Sequence, residues 1–248
     1  MRALELTTFA AMLVIAASGI VFGLTGFGFA LVSVPPLLLL YPPETVVTLT
    51  LCVGLLISGL VVRDAWEEFQ PRVVLTLLPG ALVGLFVGVQ ILNVVDPAWL
   101  KAAAGLLVTG YALLVLRGIE PRGMHSRVAP AVAGFASGTL ATSVGLSGPP
   151  IVMLFTARRL PISAFRSSIS VYFVVLSIVA LVMLGGGRAI DGDDLITALA
   201  LTPAGLIGTL AGNRIARRLD PGRFRTLTLV LLLVTGVVAV ATVVAAFL

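Results

Sequence analysis

The chain has 248 residues, 59% of them apolar and 11% charged, against roughly 45–50% and a quarter in soluble domains. So few charges cannot cover a globular surface, which excludes a soluble enzyme, a disordered chain and a nucleic-acid-binding domain. The formal net charge of +5 comes from arginines spread over short loops, and the single cysteine, Cys52, excludes an internal disulfide or a CxxC metal or redox pair.

A helix that crosses a bilayer needs about 20 mostly apolar residues. In chain order, the start (Met1, Arg2, then an apolar run) resembles a signal peptide only weakly, because spans continue far beyond it. Region 6–41 is apolar but interrupted at Gly23-Leu24-Thr25-Gly26-Phe27-Gly28. Three uninterrupted runs follow, at 45–62, 73–92 and 99–116. Region 128–156 is again interrupted, at Gly145-Leu146-Ser147-Gly148-Pro149-Pro150, and three more runs cover 167–184, 195–211 and 227–247. The 16 basic and 11 acidic residues all lie in or beside the connections. The expected fold is an all-α polytopic membrane protein.

The chain repeats itself. Pro79, Gly84, Gly88, Asp96 and Pro97 recur as Pro203, Gly208, Gly212, Asp220 and Pro221, each 124 residues later. Gly23-Leu24-Thr25-Gly26 recurs as Gly145-Leu146-Ser147-Gly148 at an offset of 122. This predicts two homologous halves, 1–121 and 122–248, each a broken helix followed by three spans and together one transport domain. Gly/Pro-interrupted segments in matching positions of duplicated halves point to the binding site of a secondary transporter.

Loops 117–127, 158–166 and 214–225 carry three, three and five arginines. Cytoplasmic loops are the Lys/Arg-rich ones. All three share one side if 128–156 dips into the membrane and returns, which also makes the halves inverted repeats. That re-entrant arrangement is the preferred expectation, with an ordinary eight-span count as its alternative.

Unwound backbone inside a bilayer must be buried in protein or line a polar cavity. A half-helix is expected to start near Phe27, and a second near Pro150 with Ser147 as its N-cap and Pro149 or Pro150 in the first turn. Two such N-termini near the midplane would offer free N–H groups and partial positive charge to an anion without a buried cation. The expected substrate site is Thr25, Gly26, Phe27, Gly28, Ser143, Ser147, Gly148, Pro149, Pro150 and Ile151, with Ser33 and Thr142 as weaker members. Arg166 opens the sixth run and either draws an anion into the cytoplasmic vestibule or marks a helix end. Pro79 and Pro203, inside their spans, are candidate hinges. Glu44 follows Pro42-Pro43 and caps its helix or couples transport; His125 is expected to be solvated.

At these residues the chain resembles the TauE/SafE sulfite exporter family of membrane permeases. The resemblance rests on Gly19-Ile20-Val21-Phe22-Gly23-Leu24-Thr25-Gly26-Phe27-Gly28 with Pro35, on Gly134-Phe135-Ala136-Ser137-Gly138 running to Gly145–Pro150, and on Arg166-Ser167-Ser168. Serine follows Arg166 here where the family often has threonine. The resemblance implies export of sulfite or organosulfonates, with no cofactor or metal, from the inner membrane of a prokaryote. Its partners would be the small sulfur-containing anion and the lipid bilayer, with proton coupling and a homodimer left open. An anion channel would share these features. The rival from another class is an intramembrane serine hydrolase using Ser147 in a GxSG setting. It lacks a base, because the only histidine, His125, sits in a preceding loop.

Overall fold

The computed structural model describes residues 2–117, 123–186 and 191–216, so the expected run 227–247 and the arginines at 217–225 lie outside the described residues. The described residues form α1 (Arg2–Thr25), α2 (Phe29–Leu40), α3 (Pro43–Ala65), α4 (Pro71–Val94), α5 (Pro97–Leu116), α6 (Ala129–Ser143), α7 (Gly148–Ala157), α8 (Ile162–Gly186) and α9 (Gly192–Ala216). A 3₁₀ turn, Trp66–Glu68, joins α3 to α4, and there is no strand among them. Prolines open α3, α4 and α5, where a missing N–H costs nothing. The Asp96 carboxylate caps α5 by accepting from the Ala98 amide at 2.8 Å.

Six helices are long and apolar enough to cross a membrane: Leu6–Thr25, Pro43–Arg63, Pro71–Val94, Pro97–Leu116, Ile162–Gly186 and Gly192–Ala216. Five are the expected uninterrupted runs. The sixth is the first leg of the first broken region, so that element is a full-length helix followed by a half-helix. Large apolar side chains such as Leu75, Phe86, Leu106 and Ile207 are more than 60% exposed around the outside. In water such a surface would drive aggregation; facing lipid, it is in its matching solvent.

Two helix pairs carry the tightest packing, α4 on α6 and α1 on α9. Side chains are absent where the backbones meet. A Cβ on Gly84 would overlap the Phe135 carbonyl, and one on Gly88 the Thr139 carbonyl. On the other pair, Gly208 meets the Ala16 carbonyl and Gly212 that of Ile20. The GxxxG glycines of α4 and α9 therefore grip α6 and α1, the first leg of each broken region. Gly84 and Gly208 are 124 apart, whereas Phe135 and Ala16 are 119 apart, as are Thr139 and Ile20. At that same spacing Gly26 (φ 81°) matches Gly145 (φ 78°). The two GL[T/S]G segments sit differently in their elements: Gly23-Leu24-Thr25 is the last turn of α1, while Gly145-Leu146-Ser147 is the break itself.

Each broken element is a hairpin. Arg158, just past α7, donates through Nε to the Met124 carbonyl at 3.3 Å and through Nη2 to the Ser126 carbonyl at 3.2 Å, just before α6. At 1.5 Å per residue the two legs are only about 22 and 15 Å long, short of the roughly 30 Å hydrocarbon core. Tyr41, past α2, is likewise hydrogen-bonded through its side chain to Thr8 near the start of α1. The Gln70 amide donates to Ser168 Oγ at 3.1 Å and ties the α3–α4 connection to the first turns of α8. Following the helices from these fixed points puts Arg63, Arg72, Arg117, Arg127, Arg158, Arg159 and Arg214 at one end of the bundle. Glu44, Asp96, Lys101, Asp191, Asp193 and Asp194 are at the other.

Candidate functional site

Both breaks line one cavity of about 40 Å³ in the middle of the bundle. The first supplies Gly28, Phe29, Ala30 and Leu31, the second Gly145, Ser147 and Gly148. The remaining wall comes from Phe22 of α1, from Thr50, Leu51, Gly54, Ile57 and Ser58 of α3, and from Phe173 and Ser177 of α8. The breaks are displaced toward opposite ends of the bundle. A Cβ on Gly145 would lie 2.8 Å from Thr50 Oγ1, in the second turn of α3, whereas Gly23 packs on Thr209 and Asn213 in the last turns of described α9.

The first break is held from within. Gly26, at φ 81°, donates its amide to the Phe22 carbonyl at 2.7 Å, and Gly28 follows at φ 92° as N-cap of α2. Such φ values favour glycine. The Thr25 hydroxyl accepts the Phe27 amide at 3.2 Å and lies within hydrogen-bond reach of the carbonyls of Val21, at 2.9 Å, and Phe27. Thr25 therefore ties the break together and does not line the cavity. Phe27 packs edge-on against Phe165 with centroids 5.8 Å apart. The first helical bond of α2 runs from the Val32 amide to the Gly28 carbonyl at 3.1 Å. The amides of Phe29, Ala30 and Leu31 precede it, and all three residues are on the cavity wall.

The second break offers fewer donors. Ser147 occupies the N-cap position, but in helical conformation (φ −89°, ψ −20°) and with no side-chain cap bond, so the expected hydroxyl cap is absent. Its carbonyl accepts the Ser137 hydroxyl at 2.6 Å. Pro149 and Pro150 have no N–H, which leaves Gly148 as the amide that opens α7. Nothing lies within 4 Å of a Cβ placed on Gly148.

Other expected site residues are elsewhere. Ser143 returns its hydroxyl to the Thr139 carbonyl at 2.7 Å, and Ile151 is fully buried in the core. Pro149 and Pro150 line a different, apolar groove of about 500 Å³ between α5, α6 and α7. Thr142 donates across to the Leu85 carbonyl of α4 at 2.9 Å, and Ser33 is buried in α2 off the cavity.

Arg166, in the second turn of α8, bonds the first break to α9. Its Nη2 donates to the Gly23 carbonyl at 2.9 Å and to Asn213 Oδ1 at 2.6 Å. Its Cγ is 2.8 Å from where a Cβ on Gly26 would sit. Pro79 and Pro203 lie on exposed faces of α4 and α9, which continue through them as helix. His125 is exposed in the loop before α6. No cluster of three metal-ligating side chains occurs among the described residues, and no Lys, Arg or His lines the cavity among them.

A family model described as "Sulfite exporter TauE/SafE" matches residues 11–239. The chain is 27% identical over 174 residues to a probable inner membrane transporter protein TsaS of Comamonas testosteroni, covering 69% of this chain and 72% of that protein. It is 26% identical over 211 residues to a probable sulfite/organosulfonate exporter TauE of Cupriavidus necator, covering 81% of each. No solved structure matches the chain.

Proposed function

The chain belongs to the sulfite exporter TauE/SafE family, and from that premise we propose that it is an inner-membrane secondary transporter exporting small sulfur-containing anions, held in the cavity between the two breaks. The observation that carries this reading is the convergence of both breaks on one cavity, with the opening residues of α2 and α7 on its wall. Helix N-termini bind oxyanions through free N–H groups and the positive end of the helix dipole. The core of the proposed site is Gly28, Phe29, Ala30, Leu31, Ser147 and Gly148. Thr25, Gly26, Phe27 and Arg166 hold the first break in shape around it.

The arginine-rich end is the cytoplasmic one in this reading, which makes the two hairpins enter from opposite sides as inverted repeats. The matched grip of α4 on α6 and α9 on α1 supports a division into halves 1–121 and 122–248. Hinge motion at Pro79 and Pro203 would let each grip tilt as the cavity changes sides. A cell interior negative by about 100 mV drives one negative charge outward by about 2.3 kcal/mol, enough for export without a coupling ion.

Purified protein in liposomes should release sulfite or a sulfonate with saturation and counterflow. Flux linear in concentration, without counterflow, favours a channel instead. The hydrolase alternative needs a base near Ser147, and α6, about 22 Å long, separates its loop residue His125 from the break. A serine-reactive probe should leave Ser147 unlabelled, and covalent labelling there would overturn the transporter reading.

A further inference from the structure

Several hydroxyls in the spans return to the carbonyl four residues back: Ser18 to Val14, Thr50 to Val46, Thr202 to Ala198 and Thr209 to Gly205, at 2.7–2.8 Å. Ser58 of α3 does not, and neither do Ser33, Thr139 and Ser170, but of these four only Ser58 is on the cavity wall. It is 1% exposed, its Oγ has no hydrogen-bond partner among the described residues, and it lines the cavity between the breaks. A buried hydroxyl without a partner is unfavourable, and its position on the wall identifies the partner as something that enters the cavity. Ser177 of α8 and Ser147 are on the same wall. Between these hydroxyls the surface is hydrocarbon, with Phe22, Leu51, Ile57 and Phe173. The donors are therefore neutral, and the rest of the wall rewards an apolar ligand body.

We propose that Ser58 donates to the anionic head of the substrate, and that the cavity selects singly charged oxyanions bearing an apolar substituent over doubly charged ones. This rests on the anion site proposed above. Neutral hydroxyls and amides compensate one desolvated charge; a second charge in an apolar enclosure needs a cationic partner, which no described residue of the wall supplies.

The test is isothermal titration of the purified full chain with methanesulfonate, benzenesulfonate and sulfate at fixed pH and ionic strength. Wild type, Ser58→Ala, Ser58→Thr and Gly148→Leu are compared. Both sulfonates should bind, benzenesulfonate more tightly, and sulfate about 100-fold or more weakly than either. Ser58→Ala should weaken methanesulfonate by about 10–100-fold, while its melting temperature stays level or rises because an unpaired polar atom has been removed. Ser58→Thr keeps the hydroxyl and should stay within about threefold of wild type. Sulfate binding as tightly as methanesulfonate, or wild-type affinity in Ser58→Ala, overturns the proposal. Loss of binding in Gly148→Leu alongside either of those results leaves the anion site standing and removes only the charge selection or the Ser58 role. Unchanged binding in Gly148→Leu, or no sulfonate binding to wild type, removes the site and this proposal together.

Discussion

Gly148 and Gly26 are each the last glycine of their GL[T/S]G segment, yet a side chain at each should act in opposite ways. At Gly148 the backbone is helical and nothing lies within 4 Å of an added Cβ, so the side chain of Gly148→Leu extends into the open cavity. Replacing a helical glycine gains roughly 0.5–1 kcal/mol, part of which is lost because the residue precedes Pro149. The variant should melt within a few degrees of wild type. Its side chain stands over the opening amides, and losing one hydrogen bond to a charged ligand costs about 1.5–3 kcal/mol, a roughly 10–100-fold weaker affinity. At Gly26 the same substitution meets Arg166 Cγ at 2.8 Å and must hold φ 81°, a strain of about 1–2 kcal/mol before the clash is counted. Gly26→Leu should therefore lose stability and binding together. Sulfite and methanesulfonate affinity, measured beside thermal melting in detergent, separates the two. A monodisperse Gly148→Leu protein with wild-type affinity would refute placing the anion in this cavity.

Three further outcomes follow from the packing. Arg166→Lys keeps the charge but not the fork that reaches both Gly23 and Asn213; it should cost about 1–3 kcal/mol of stability and lower transport, and Asn213→Leu should reproduce part of the loss non-additively with it. Gly84→Ala and Gly208→Ala push a methyl into a facing backbone carbonyl and should each destabilise by about 1–3 kcal/mol or more, whereas Gly110→Ala, with nothing within 4 Å, should be neutral in melting assays. Single cysteines at the exposed positions Ser126 and Ser163, in a Cys52→Ala background, should be labelled by an impermeant thiol reagent from the same side; labelling from opposite sides would replace the α6–α7 hairpin with a through-going span.

What was legible in the sequence is what rests on length and backbone chemistry. The five expected runs within the described residues are helices because about twenty apolar residues have one good solution in lipid, and α4 and α9 keep it through Pro79 and Pro203. Both breaks were found because glycine and proline announce them. The proline pair after Gly148 was equally readable as a loss of donors, since proline has no N–H, and the expected donor set at 148–151 overlooked it. The wall contributed by α3 and α8 was not readable. Ser58 is the single serine of the long apolar helix α3, and only the three-dimensional arrangement distinguishes it from Ser18 or Thr209, whose hydroxyls turn back on their own helices. Arg166 read as a helix-end arginine because its partners, Gly23 and Asn213, are 143 and 47 residues away.

The central claim is that the transported anion sits between the two breaks. Crystals of the protein soaked with bromomethanesulfonate, measured at the bromine edge, test it directly. The account predicts one anomalous peak inside the cavity bounded by Gly28, Ser58, Ser147 and Gly148, lost in crystals of Gly148→Leu. A peak in the apolar groove between α5 and α7, with the cavity empty while the protein in solution binds the same anion, would contradict it.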